Sequence, residues 1–227
     1  MKDVLVVAAH PDDELLGVGG TIRRLANQGI CCRAVIIGEG ITSRADSRKD
    51  ADFNKLEELR KDAESAAKVV GYTSIDFCNL PDNRLDEMEL LDIIKIVSRY
   101  IEEYRPDTVF THHHGDLNID HRIVCEAVLT ACRPVGVYSV DRIYSFETSS
   151  STEWNYTYGE PFVPSVYFDV SATIEAKIKG MLCYRSESSV SPHPRSSESL
   201  RALASFRGSN VGVDKAEAFM LLREVYR

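Results

Sequence analysis

The chain has 227 residues, 44% hydrophobic and 27% charged, with a formal net charge of −8. That composition suits one sizeable α/β domain over 1–227 and excludes a disordered chain, while the excess of acid disfavours nonspecific association with nucleic acid or an anionic membrane, which takes a clustered basic surface. No stretch is apolar enough to span a bilayer, and Met1-Lys2-Asp3 leads into an apolar run with no cleavage pattern, so the expected location is cytoplasmic.

The first predicted element is a strand. Val4, Leu5, Val6, Val7 and Ala8 form a partly β-branched run too short for a typical helix, and Pro11 stops it. His10, Asp12 and Asp13 stand directly behind it, followed by an amphipathic helix with Leu15, Val18, Ile22, Leu25 and Ala26 on one stripe and Gly29 at its end. A polar cluster at the carboxyl end of a strand is where an open α/β sheet keeps its ligand crevice. Asp12 or Asp13 also fits a helix N-cap, with Glu14 at the positive end of the dipole. Capping makes no use of His10, however, whereas a metal site needs imidazole and carboxylate converging on one point. Gly17-Val18-Gly19-Gly20 is superficially like the glycine-rich turn of dinucleotide-binding folds. The third glycine of that pattern would fall on Ile22, and these glycines lie inside the helix, where they allow close packing on the sheet or on ligand backbone.

Residues 32–37 predict the second strand. Gly38-Glu39-Gly40 then opens a long polar connection through Arg44 and Arg48 to about Asp52, for which a substrate lid and a solvated linker are equally good readings. Phe53, Leu56, Leu59, Ala63, Ala66, Ala67 and Val70 recur at helical spacing up to Gly71. A short strand at 75–78, a turn at Leu80-Pro81-Asp82-Asn83-Arg84 and a helix over Leu90–Tyr104 follow. Pro106 precedes another buried strand at 108–111.

Behind that strand the first arrangement repeats. His112-His113-His114-Gly115-Asp116-Leu117-Asn118-Ile119-Asp120-His121 leads into a helix with Ile123, Val124, Ala127, Val128 and Ala131 inward. Two parallel strands of one sheet bring their carboxyl ends, and so both clusters, to the same side. Asn118 or Asp120 fits an N-cap, Asp116 an Asx turn, and His114 a plain surface residue. His121, taken with His10 and Asp13, completes a three-ligand set with room for water, as a catalytic zinc site requires.

Further on, Arg142–Phe146 predicts a strand, 149–152 a polar loop, and 163–170 a strand that Pro164 confines to an edge. A helix is expected at 172–184 with Ile174, Ile178, Met181 and Leu182 inward. The segment 188–199, rich in Ser and Pro and containing His193, suits a tether over the site or a solvated connection. Residues 199–206 and 215–225 are expected to be helical. The Ser/Pro-rich connection and Tyr156-Thr157-Tyr158 leave room for a contact between copies of the chain, a homo-oligomer. The six cysteines, Cys31, Cys32, Cys78, Cys125, Cys132 and Cys183, form no C-x-x-C pair and are expected as buried reduced thiols.

The two clusters resemble the signatures of the zinc-dependent de-N-acetylase family that includes the N-acetylglucosaminylphosphatidylinositol deacetylases (PIG-L) and their LmbE-like relatives. A-H-P-D-D-E stands complete as Ala9-His10-Pro11-Asp12-Asp13-Glu14, and D-x-H-x-D-H appears as Asp116-Leu117-Asn118-Ile119-Asp120-His121, with Asn118 at the central His. Weaker matches are Arg60 with Glu64 ahead of Ala66-Ala67 and Gly71, Lys177 before Tyr184-Arg185-Ser186-Glu187, and Gly208 before Ala216-Glu217-Ala218-Phe219. The resemblance implies a Rossmann-like three-layer sandwich with a mostly parallel central sheet. It implies Zn2+, or another divalent ion, held by His10, Asp13 and His121, with Asp12 as general base and Asp120 orienting a ligand imidazole from behind. The implied reaction removes the acetyl group of an N-acetylated amino sugar or sugar conjugate by metal-activated water.

Arg44, Arg60, His113, Asp116 and Asn118 are the substrate-binding candidates, although arginines among acids often make only surface ion pairs. The pattern departs at Asn118, where many relatives carry His. Asparagine donates a hydrogen bond but does not titrate, so either Asp12 handles all proton transfer or His112 or His113 takes that role. Two alternatives remain: the same metal acting on a non-sugar amide or ester, and a nucleotide-binding module that catalyses nothing.

Overall fold

The computed structural model describes residues 1–136 and 138–226. At its centre lies β1 (Asp3–Ala8), whose Val4 to Ala8 are fully shielded between neighbouring strands and both helical layers. β2 (Cys31–Gly38) and β4 (Thr108–His112) flank it, β3 (Ser74–Leu80) lies beyond β2 and β5 (Arg142–Phe146) beyond β4, all parallel. β7 (Ala216–Glu224) runs antiparallel to β5, and β6 (Val166–Asp169) ends the sheet antiparallel to β7. The order is therefore β3-β2-β1-β4-β5-β7-β6. Winding changes direction between β1 and β4, so a crevice opens at their carboxyl ends. The two polar clusters emerge from those two ends.

Alternation along β1 divides the core. Val4 and Val6 join Leu15, Val18 and Ile22 of α1 (Asp13–Asn27), Ala63 of α2 (Phe53–Val70) and Ile178 of α5 (Ile174–Met181). Leu5 and Val7 face the opposite way, onto Ile93 and Val97 of α3 (Leu90–Tyr104) and Val124 and Val128 of α4 (Ile119–Ala131). The result is the expected three-layer sandwich, with α6 (Ser197–Ser209) covering the antiparallel end. No helix among the described residues is long and apolar enough to cross a membrane.

Two expectations are corrected. Residues 215–225, rich in helix formers such as Ala216, Glu217, Ala218, Met220 and Leu222, form β7, because pairing on both sides with β5 and β6 outweighs intrinsic preference. The helix expected at 172–184 is shorter, and Leu182 beyond its end is exposed rather than inward. Residues 163–170 do give an edge strand, starting two residues after Pro164. The connection after β2 folds into two short 3-10 turns, Thr42–Arg44 and Arg48–Asp50, with Arg48 Nε and Nη2 each donating to the Glu39 carboxylate at 2.7 Å.

The glycines of α1 serve close packing. A Cβ at Gly17 would land on the Phe146 ring, and one at Gly20 would press on Val170 at 3.1 Å. Gly17→Ala is expected to cost about 1–3 kcal/mol, the range for overpacking a filled core, read as a lower urea midpoint with unchanged slope. Against the same stretch of helix lies a buried ion pair: Lys177 Nζ donates to Glu217 Oε1 at 2.7 Å and to the Leu16 carbonyl at 2.6 Å. Glu217 in turn accepts the backbone N–H groups of Gly20 and Thr21 at 3.0 and 2.6 Å.

Candidate metal centre and active site

At the end of β1 the chain turns sharply. Asp12 has φ 113°, a left-handed conformation that side chains rarely adopt, and such strain persists only where the surroundings enforce it. Here Glu14 enforces it: Oε2 accepts the Asp12 N–H at 3.0 Å, while Oε1 accepts the Tyr184 hydroxyl at 2.6 Å. Burial pushes the Glu14 carboxyl up to about 7. Asp12 occupies the N-cap position of α1 without a side-chain capping bond, so the capping reading does not hold for it. The turn aims Asp12 and Asp13 in different directions.

Of the three imidazoles around it, with His112 Nε2 the farthest at 3.5 Å, Asp13 points most closely at two. Its Oδ2 lies 3.3 Å from His10 Nδ1 and 3.3 Å from His121 Nε2, and one ligand atom from each residue fits within 4.8 Å of the others. Each imidazole is backed by carboxylate. His10 Nε2 donates to Asp120 Oδ2 at 3.0 Å with Asp82 Oδ1 at 3.3 Å, and His121 Nδ1 lies 3.2 Å from Asp116 Oδ1. Asp120 is itself fixed by the Leu85 N–H on Oδ1 at 3.0 Å. Asp116 accepts the hydroxyls of Ser151 and Thr152 and the Asn118 N–H.

The electrostatics call for a cation. Burial lowers the pKa of both imidazoles, but for His10 the hydrogen bonds to Asp120 and Asp13 outweigh it and raise that imidazole well above its ordinary value. For His121 the charge of Asp13 and the Asp116 contact outweigh burial and raise it to about 9. Burial also works to raise Asp13, yet the charge of His121 and the hydrogen bonds from His10 and His121 hold its carboxyl well below the usual range. Carboxylates this strongly tuned toward positive charge, with two imidazoles presenting one nitrogen each, fit a divalent ion, which leaves the imidazoles neutral and supplies the charge itself.

Asp12 stands beside this set and outside it. Its Oδ2 accepts Arg195 Nη1 at 2.6 Å. Burial pushes its carboxyl well above the usual range, with Arg195 pulling the other way. These groups open onto a cleft of about 160 Å3 that is also lined by Asp82, Asn83, Asn118, Glu187 and the 40–44 segment. A larger cavity of about 510 Å3 shares Ile41, Arg44 and Leu59 as a wall.

The remaining candidates are dispersed. Arg44 lines the cleft at its rim, its Nη2 held by Glu187 at 2.7 and 2.9 Å. Arg60 lies over the Phe77 ring at 4.6 Å and is not among the cleft-lining residues. His113 is buried with Nε2 donating to the Glu160 carbonyl at 2.8 Å, and Asp116 is buried behind His121. Asn118 caps α4, its Oδ1 accepting the Asp120 N–H at 2.9 Å while Nδ2 donates to Asn83 Oδ1 at 2.9 Å. His112 Nε2 accepts the Ala9 N–H at 2.9 Å, which puts its proton on Nδ1 facing Thr148. Burial and neighbouring His121 hold it well below its ordinary value, so it is a neutral support stacked on the His121 ring.

Sequence reasoning missed Asp82, Glu187 and Arg195 as cleft residues. Asp82 follows the carboxyl end of β3, so the rule that pointed to the two clusters also applies to it. Arg195 sits in an aperiodic Ser/Pro-rich stretch and carried no signal. Of the segment 188–199 Arg195 alone lines the cleft, while residues 189–192 are exposed as a solvated connection would be.

The profile of a family described as PIG-L, GlcNAc-PI de-N-acetylase, matches residues 5–132. The chain is similar to the uncharacterized deacetylase YaiS of Escherichia coli (strain K12), 32% identical over 155 residues that cover 66% of this chain and 76% of YaiS. Two solved structures share the fold. The N,N'-diacetylchitobiose deacetylase of Pyrococcus horikoshii superposes with a TM-score of 0.77 at 23% identity, covering 97% of this chain and 84% of its own. GalB, the 4-carboxy-2-hydroxymuconate hydratase of Pseudomonas putida KT2440, does so with 0.78 at 21%, covering 100% and 98%. A deacetylase and a hydratase on one scaffold mean that the fold alone does not choose the reaction.

Proposed function

This chain belongs to the PIG-L, GlcNAc-PI de-N-acetylase family, and from that premise we propose that it hydrolyses the acetamide of an N-acetylated amino sugar or sugar conjugate to acetate and a free amine. The observation that carries the reading is the convergence of His10, Asp13 and His121 from two distant strand ends, with the unligated carboxylate of Asp12 beside them. His10, Asp13 and His121 would hold the divalent ion, with zinc the expectation. When bound it supplies Lewis acidity, lowering the pKa of water and polarising the acyl oxygen.

The chain's own groups do the rest. Asp12 takes a proton from the water that adds to the acyl carbon and delivers it to the amide nitrogen as the C–N bond breaks. Asp120 and Asp82 on His10, and Asp116 on His121, fix the imidazoles' orientation and tautomers. That is the role we give Asp120 and Asp116, in place of direct contact with substrate. Arg44 and Asn118 are retained as groups at the cleft wall, and the 510 Å3 cavity beyond Arg44 offers room for the rest of a conjugate. Arg60 and His113 are left without a substrate role. A cytoplasmic location is part of the reading, supported by six free cysteines, and the exposed Tyr156 and Tyr158 are where a homo-oligomer would meet.

The test is acetate release by metal-replete protein across a panel of N-acetyl sugars, together with elemental analysis. One divalent ion per chain is expected. Asp13→Ala and His121→Ala should each lose the ion and the activity together, and chelation of the parent should lower its Tm by removing a ligand that binds only the folded state. Silence on every sugar with turnover of a simple amide or ester would move the assignment to the non-sugar reading.

A further inference from the structure

We propose that Arg195 is a catalytic residue of this site, donating hydrogen bonds from Nη2 to the substrate's acyl oxygen as negative charge gathers there. The assignment rests on the hydrolytic reading above. Addition of water to an amide carbon places charge on that oxygen, and donors fixed in advance stabilise it most effectively.

The cleft holds few such donors. The outward N–H groups of His10 and His121 face Asp120, Asp82 and Asp116. His112 and His113 are buried and do not line the cleft. Asn118 has its carbonyl on the helix cap and its amide on Asn83, and Asn83 donates to Ser43 and Asp82. Besides the neutral hydroxyls of Ser43 and Ser150, each already accepting a hydrogen bond, two guanidinium groups remain. Arg44 is 54% exposed at the rim and hydrogen-bonds to Glu187, with no bond to Asp12.

Arg195 is 22% exposed and anchored on two sides of its planar fork. Nε donates to Ser150 Oγ at 2.7 Å, and Nη1 donates to Asp12 Oδ2 at 2.6 Å and Glu187 Oε2 at 3.0 Å. Nη2 makes no hydrogen bond among the described residues and is not sealed from solvent. An acyl group within proton-transfer reach of Asp12 therefore meets the unspent corner of a cation already bonded to Asp12. Because its other nitrogens are held, Nη2 donates without reorganisation.

The experiment compares wild type, Arg195→Lys and Arg195→Ala, all zinc-replete, by acetate release from an N-acetyl sugar, acetate binding by calorimetry, metal content and Tm. Arg195→Ala is expected to lose about 10²–10³-fold in kcat with KM little changed, and to bind acetate roughly tenfold more weakly, about the worth of one charge-assisted hydrogen bond. Arg195→Lys should restore only part of either loss, since an ammonium has no fork, and millimolar guanidinium should partly rescue turnover by Arg195→Ala. Acetate bound no more weakly by Arg195→Ala than by wild type overturns the assignment, as does turnover close to that of wild type. Loss of turnover in step with metal content and Tm, with no rescue, also overturns it and makes Arg195 a brace for the fold. If wild type releases acetate from no N-acetyl sugar, the hydrolytic reading fails, while the acetate comparison still decides Arg195.

Discussion

Asp12→Asn is expected to reduce kcat by about 10²–10⁴-fold, the usual worth of a positioned general base, while leaving the bound metal in place. Asparagine keeps the shape of the side chain and an oxygen for Arg195 Nη1, which now lies 2.6 Å from Oδ2, so the left-handed turn and the direction of Asp13 should survive. What is lost is the capacity to take a proton from water and hand it to nitrogen. Steady-state acetate release paired with elemental analysis separates this from the effect of Asp13→Ala. Turnover within a few-fold of the parent would show that the proton moves elsewhere, and a variant that has shed its metal would show that Asp12 serves the ion's site instead.

The second large effect concerns stability. Glu217→Ala leaves the Lys177 ammonium buried with only the Leu16 carbonyl, and strips the Gly20 and Thr21 N–H groups of a shared acceptor. Breaking a buried pair from one side costs about 3–5 kcal/mol, and for a chain of this size that lowers Tm by roughly 10 °C. Removing the charges while keeping an acceptor, in the double variant Lys177→Met with Glu217→Gln, should recover most of the loss. Urea denaturation of the three proteins reads both claims. A Glu217→Ala protein within about 1 kcal/mol of the parent would mean that water reaches the lysine and that burial there is incomplete.

Legibility in the sequence followed distance along the chain. β1, β4 and their clusters were readable because short β-branched runs declare parallel strands, and parallel strands put their carboxyl ends on one side. Most helices were readable from three- and four-residue spacing, α2 and α3 to their very ends. β7 was not, since Ala, Glu, Met and Leu favour a helix until two strands claim them. The cleft divides in the same way. The ligand candidates lie within strand-end clusters, whereas Arg195 reaches Asp12 across 183 positions from a segment with no period to read. Arg60 fitted the family pattern, and only the fold puts it on Phe77.

One carboxylate joins the outer wall to the reacting centre. Glu187 is gripped by Arg44 from the 40–44 segment on one side and by Arg195 on the other, so a loop substitution that frees Arg44 also releases the anchor against which Arg195 is set. A substitution in this loop is thus expected to shift the seating of Arg195 together with the cleft wall.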